Sequence, residues 1–160
     1  MKDLIKKILK EETEEVLAIP SLSIFPNGVE GLKNFIQKKN IKRWSLDDDL
    51  DLSYYESDLT CLEGLVSVSG DLDLEGGQIE SLPNLQSVGG YLDLMGTQIE
   101  SLPNLQSVGD YLDLERAQIK SLPNLQSVGG DLYLNEYLSE KYTDEEIKSM
   151  VDVDGNIYRE

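Results

Sequence analysis

The sequence predicts an α/β repeat solenoid: a β-helix-like coil of short parallel strands, with a helical cap at its N-terminal end and a second cap at its C-terminal end. Three observations predict it. "SLPNLQSVGGYLDL" at 81–94 returns as "SLPNLQSVGDYLDL" at 101–114 and as "SLPNLQSVGGDLYL" at 121–134. The period is fixed at 20 residues, and the apolar positions keep register through every copy. One copy cannot bury its own apolar face, so the copies must stack.

Residues 1–43 form the expected N-terminal helical cap. Leu4, Ile5, Ile8, Leu9, Val16 and Leu17 recur at helical spacing, with Pro20 at or just past the end of that helix. The helix either packs as a cap or serves as an amphipathic arm for a partner or a membrane. A second helix is expected from Asn27. There Asn27 and Glu30 stand in capping-box relation, and Val29, Leu32, Phe35 and Ile36 form one apolar stripe.

Residues 44–137 form the expected solenoid. L-D-L stands at 50–52, 72–74, 92–94 and 112–114, followed by L-Y-L at 132–134. Strand alternation turns both leucines in and the middle residue out. After the strand comes a ladder with a three-residue step: Ile79, Leu82, Leu85, Val88, then Ile99, Leu102, Leu105, Val108, then Ile119, Leu122, Leu125, Val128. That step suits 3₁₀-like or extended turns better than an α-helix. In the first, worn repeat, Leu59, Leu62, Leu65 and Val68 fit the ladder after an insertion around Tyr54–Tyr55. Gly89, Gly109 and Gly129 mark the turn before each strand, and positive φ is expected at some of them. The columns Gln78–Gln98–Gln118 and Asn84–Asn104–Asn124 are expected to form amide ladders that satisfy turn backbone.

Residues 138–160 form the expected C-terminal capping segment. Thr143 and Glu146 can cap a short helix, and Ile147, Met150 and Val153 keep the three-residue step. Gly155, Asn156, Ile157 and Tyr158 mirror Gly130, Asp131, Leu132 and Tyr133.

At this level of repetition "LPNLQSVGGYLDLMGTQIESLPNL" resembles a leucine-rich repeat of the short bacterial or viral kind. It is also similar to the repeats of receptor L domains, in which V-G-G-x-L-x-L leads into the strand. The resemblance covers about residues 46–134. It implies a binding scaffold, usually without catalysis, whose parallel strands line the recognition face. One extra residue between Val88 and Leu92, and glutamine near the usual asparagine, leave a curved horseshoe and a straighter β-helix both open.

Composition narrows the function. The formal net charge is −17, and from Trp44 to Glu115 there are 16 acidic residues and no basic one. Such a chain is not expected to bind nucleic acid or an anionic membrane directly. With no histidine in the sequence, His-based catalysis and most transition-metal sites fall away. No P-loop, nucleophile elbow or Cys/His cluster is present. Paired carboxylates abound, but repetition is expected to give them equivalent environments, which an acid–base pair cannot use. No cofactor and no metal is expected, although "DDDLD" at 47–51 supplies oxygen ligands of the kind calcium takes. Cys61 replaces the serines of later repeats and reads as a small packing residue. No segment suits a signal peptide or a membrane span, so a cytoplasmic protein is expected, in the host cell's cytoplasm if phage-encoded.

The outward strand positions are the candidate partner-binding residues: Asp49 and Asp51; Asp71, Asp73 and Glu75; Tyr91 and Asp93; Tyr111, Asp113 and Glu115; Asp131 and Tyr133. Ser53, Met95 and Asn135 complete the outward triplets. Strands stack roughly 4.8 Å apart, so Asp51, Asp73, Asp93, Asp113 and Tyr133 form one column. Duplication of one repeat, tolerated for its solubility, explains such a column. So does a face made to meet positive charge, with tyrosine beside it to stack on arginine. The expected function is a non-enzymatic protein-binding module that engages a basic protein surface, a nucleic-acid-binding protein being one case. The alternatives are a DNA or RNA mimic that blocks such an enzyme, by analogy of charge and size with anti-restriction and anti-CRISPR inhibitors, and a structural protein that assembles through solenoid ends.

Overall fold

A computed structural model of the chain describes residues 15–160. The chain coils through two parallel sheets, of seven and six strands, and few residues are helical. The first sheet runs β1 (Leu17–Ile19), β2 (Trp44–Leu46), β4 (Leu65–Val68), β6 (Ser87–Val88), β8 (Ser107–Val108), β10 (Ser127–Val128), β12 (Asp152–Val153). The second runs β3 (Leu50–Asp51), β5 (Leu72–Asp73), β7 (Leu92–Asp93), β9 (Leu112–Asp113), β11 (Leu132–Leu134), β13 (Ile157–Arg159). Every pairing is parallel, and Leu50, Leu72, Leu92, Leu112, Leu132 and Ile157 stand in register. Parallel sheets bury both faces only when something covers them. Here the coil closes on itself over the leucine ladders.

The core is that ladder. Leu72, Leu74, Leu82, Leu85, Leu92, Leu94, Leu102, Leu105, Leu112 and Leu114 are all fully buried, as are Leu62 and Leu65 of the worn first repeat. At the N-terminal end Trp44 is also fully buried, and its Nε1 donates to the Cys61 carbonyl at 3.0 Å. The Ser-Val strand of each rung has no signal in the sequence that sets it apart from the turn. Two residues carry no period. They become a strand only because Ser67, Ser87, Ser107 and Ser127 align between rungs.

Three local expectations change. The first helix at Leu4–Leu9 lies outside the described residues, but Leu17 belongs to a strand, paired with Trp44. An open sheet edge, followed by Pro20, outweighs helical spacing there. The second helix, α1 (Val29–Lys39), begins one residue after Gly28, and no side chain caps it. Asn27 takes φ 67°, and Glu30 instead accepts from the Tyr55 hydroxyl and pairs with Lys33 at 3.2 Å. Leu32 and Ile36 of its stripe are buried, and Val29 and Phe35 pack against the core. Gly89, Gly109 and Gly129 do not have positive φ. They are needed for closeness: a Cβ on any of them would lie under 3.0 Å from the carbonyl oxygen of the preceding rung.

At the other end α2 (Glu136–Lys141) and α3 (Asp144–Met150) follow the last complete repeat. The Thr143–Glu146 capping box forms, with Thr143 N–H donating to Glu146 Oε2 at 2.8 Å. Met150 is 55% exposed, against the three-residue step, because α3 turns with helical rather than ladder period. The asparagine column satisfies turn backbone, though not as an amide ladder. Asn84 Nδ2 donates to the Glu63 carbonyl at 2.7 Å, Asn104 to Pro83 at 2.6 Å, and Asn124 to Pro103. Gln78, Gln98 and Gln118 are exposed and make no side-chain bond among the described residues. No helix among those residues is long and apolar enough to cross a membrane.

Candidate functional site

The outer face of the second sheet gathers the candidate residues. Its register pairs Asp51 with Asp73, Asp73 with Asp93, Asp93 with Asp113, and Asp113 with Tyr133. The column then continues to Tyr158. The mirror of 130–133 in 155–158 was visible in the sequence, yet Tyr158 was not assigned to the face; it stands there, 43% exposed.

Each aspartate of the column has one oxygen tied to the chain. Asp73 Oδ1 accepts from Glu75 N–H at 3.0 Å, Asp93 from Met95 at 2.9 Å, and Asp113 from Glu115 at 2.8 Å. Asp51 Oδ1 accepts from both the Ser53 backbone and its hydroxyl. An aspartate that bonds the backbone two residues on fixes the turn leaving the strand. The column therefore has a scaffold role. Asn would fill it equally well, so charge is the part left over. At Asp113 the roles separate by experiment. Asp113→Ala leaves the Glu115 N–H unpaired and is expected to lose about 1 kcal/mol in urea unfolding, whereas Asp113→Asn should lose nothing.

The first acidic column reaches between rungs. Asp49 Oδ1 accepts from Asp71 N–H at 2.9 Å, Asp71 from Tyr91 N–H at 3.0 Å, and Asp131 from Asn156 N–H at 2.7 Å. Gly70, Gly90 and Gly155 make room, since a Cβ on any of them would collide with that Oδ1. A signal for this lay in the sequence. Where the preceding rung carries Tyr91 in place of Asp, the next rung carries Asp110 in place of Gly.

The environments within the central column are unequal, contrary to expectation, so equivalence of the carboxylates gives no ground for excluding acid–base use. Hydrogen bonds from Ser53 hold the Asp51 carboxyl below its ordinary value. Burial pushes Asp73 and Asp113 up. Burial first, and then Asp113 and Asp73 beside it, push Asp93 up to about 6, against the bond from Met95. Repetition copies residue type, but the middle of a stack is drier than its end.

The tyrosines form a second array. Tyr91 and Tyr111 stack with centroids 4.7 Å apart and planes 5° from parallel. Tyr133 and Tyr158 stack at 4.8 Å and 13°. Tyr111 meets Tyr133 edge-on at 6.2 Å, which joins the two pairs. Burial raises the pKa of Tyr91, Tyr111 and Tyr133. Tyr54, not among the candidates, is 66% exposed; its hydroxyl donates to Glu75 and its ring lies over Gly76. Asn135 is not on the face. It is buried, donates to the Ala117 and Ile119 carbonyls, and caps α2 through Leu138 N–H.

One carboxylate oxygen from each of Asp73, Glu75 and Asp93 lies within 4.8 Å of the others. Nearby positive charge is already engaged: Arg159 pairs with Asp144, and Arg116 lies 3.8 Å from Glu160. Cys61 is half-buried, and burial pushes its thiol up to about 11, far from a reactive thiolate. Compared with known proteins, the chain matches no family model, no curated protein and no solved structure.

Proposed function

We propose that this chain is a non-enzymatic binding module of the short leucine-rich-repeat type, closed by a cap at each end, which engages a basic protein surface with the outer face of its second sheet. One observation carries the reading: a stacked tyrosine array and a column of partly desolvated aspartates share one face. Aspartates could have been asparagines without loss to the turns. Like charges at roughly 4.8 Å repel by about 0.9 kcal/mol in water before screening. A face that retains them against that repulsion suits a cationic partner.

Charge density favours a protein partner over imitation of nucleic acid. Nine candidate carboxylates span five rungs, or about one charge per 2.7 Å at the usual strand spacing. Duplex DNA carries one per roughly 1.7 Å. The test is partner capture from the native host with the wild-type chain and with Asp73→Asn, Asp93→Asn and Asp113→Asn combined, at low and high salt. Asparagine keeps every turn bond, so the variant should remain folded. Capture should fall at least about tenfold in the variant and weaken steeply with salt. Capture that ignores both changes would remove the acidic-face reading. Self-association that ignores them would favour assembly through the solenoid ends.

A further inference from the structure

We propose that the face receives an arginine-bearing α-helix of the partner, laid along the solenoid axis and across the strands. This deepens the basic-partner reading and rests on it. The tyrosine ring carries the choice of arginine, and the spacing of the aspartate column carries the choice of a helix.

The rings come first. In the Tyr91–Tyr111 stack each ring has one face against the other. Tyr91 comes first in that stack, so its second face turns back toward the rung of Asp71, Asp73 and Glu75, which holds no aromatic residue. A planar cation placed there has a ring beneath it. Around it lie the carboxylates of Asp73 and Asp93, with Glu75 beside them already accepting from the Tyr54 hydroxyl. Asp73 and Asp93 have no protein donor on their second oxygen among the described residues. Guanidinium is flat, stacks on aromatic faces and bonds carboxylates two at a time. Ammonium can sit over a ring, as Lys141 does over Tyr137 at 5.2 Å, but it is a point charge that cannot bond a carboxylate fork to fork, and it holds its water more tightly. Tyrosine beside paired acid thus selects arginine over lysine, whereas an acidic face alone would not.

Spacing decides the form of the partner. From Asp51 to Asp113 is three rung steps, or about 14 Å at the usual strand spacing. Side chains once per helical turn advance about 5.4 Å each, or about 16 Å over three steps. Same-side residues of an extended strand advance about 6.7 Å each, or about 20 Å. The mismatch is about 2 Å for the helix and about 6 Å for the strand, so the helix asks less adjustment of its side chains. The face also has a direction. Acid alone faces out at β3 and β5, each later rung adds a tyrosine, and two tyrosines stack at β11 and β13.

The test uses the full chain and four labelled peptides of equal length and charge, read by fluorescence anisotropy at low salt. The first is an alanine-based helix with one arginine per turn along one side. The second distributes the same arginines around the helix. The third has lysine for every arginine, and the fourth is the first interrupted by prolines. The first should bind about tenfold tighter than each of the others. Tyr91→Leu should bring the affinities of the arginine and lysine peptides to within about twofold of each other, and its urea midpoint against wild type separates loss of the ring from loss of fold. Tyr91→Phe, which keeps the ring, should retain the preference, and its loss there would overturn the role given to the ring face. Equal binding of all four peptides would overturn the helix and arginine assignments and leave a merely acidic face. Failure of every peptide to bind would overturn the basic-partner reading as well.

Discussion

Gly109→Ala is expected to destabilise the chain by about 3 kcal/mol or more, the largest effect of any single methyl addition proposed here. The reason is local. The new Cβ would meet the Gly89 carbonyl oxygen well under 3.0 Å away, and that atom is backbone. Both rungs are held by the ladder: Gly109 N–H donates to the Val88 carbonyl at 2.9 Å, and Gly129 N–H to Val108 at 2.9 Å. A side chain could rotate away, but here the rungs themselves must separate. Gly77→Ala is the control, because Thr97 and Ala117 occupy the same place in later rungs and are buried there. It should change stability by less than about 0.5 kcal/mol. Urea unfolding of both variants checks the pair. If the two shift the midpoint alike, closeness between rungs is not what keeps glycine in this column.

Replacing Asp73, Asp93 and Asp113 together by asparagine should stabilise the chain by up to about 2 kcal/mol at pH 7 and low salt, by removing the repulsions at the 51–73, 73–93 and 93–113 steps. The gain should shrink with added salt and with acid. Asp93 titrates at about 6 in the folded chain, pushed up by burial, whereas an unperturbed aspartate titrates near 3.8. Between those values the folded state holds the proton that the unfolded state has released. Stability from this group is therefore complete below about pH 4 and is lost as pH rises through about 6. Asp73 and Asp113 are raised in the same direction and add to the same trend. Asp51, Asp48 and Asp58, which are lowered by hydrogen bonds, act oppositely and only at the acid end. Wild type should be more stable at pH 5 than at pH 7, while the triple variant should be nearly flat between them. Denaturant midpoints at the two pH values decide the matter: wild type gaining stability from pH 5 to pH 7 would show that the column is not under electrostatic stress. Binding should move the other way, since a cationic partner favours the ionised column. The same three substitutions would then raise stability and abolish capture, a pairing that loss of fold cannot imitate.

Repetition is what made this chain legible. The 20-residue period, with leucines in fixed places, determined that rungs stack, which residues form the core, and that Asp51, Asp73, Asp93 and Asp113 share a column, because a register that aligns the leucines must also align the residues between them. Thr143 and Glu146 were equally legible, since a capping box is a contact between near neighbours. Contacts between rungs were not. Whether Ser87–Val88 is a strand depends on Ser67 and Ser107 beside it, not on two residues of sequence. Whether Gly109 is needed for its φ or for its size depends on where the Gly89 carbonyl lies. The aspartates look alike in sequence, and only stacking decides that Asp51 ends the column beside Ser53 while Asp93 stands in its dry middle. The tyrosines are 20, 22 and 25 residues apart along the chain, a spacing that lets Tyr111 and Tyr133 fall in different columns. The tertiary coil alone turns them into one connected array, because ring contact is set by rung spacing and side-chain direction, neither of which a one-dimensional period records.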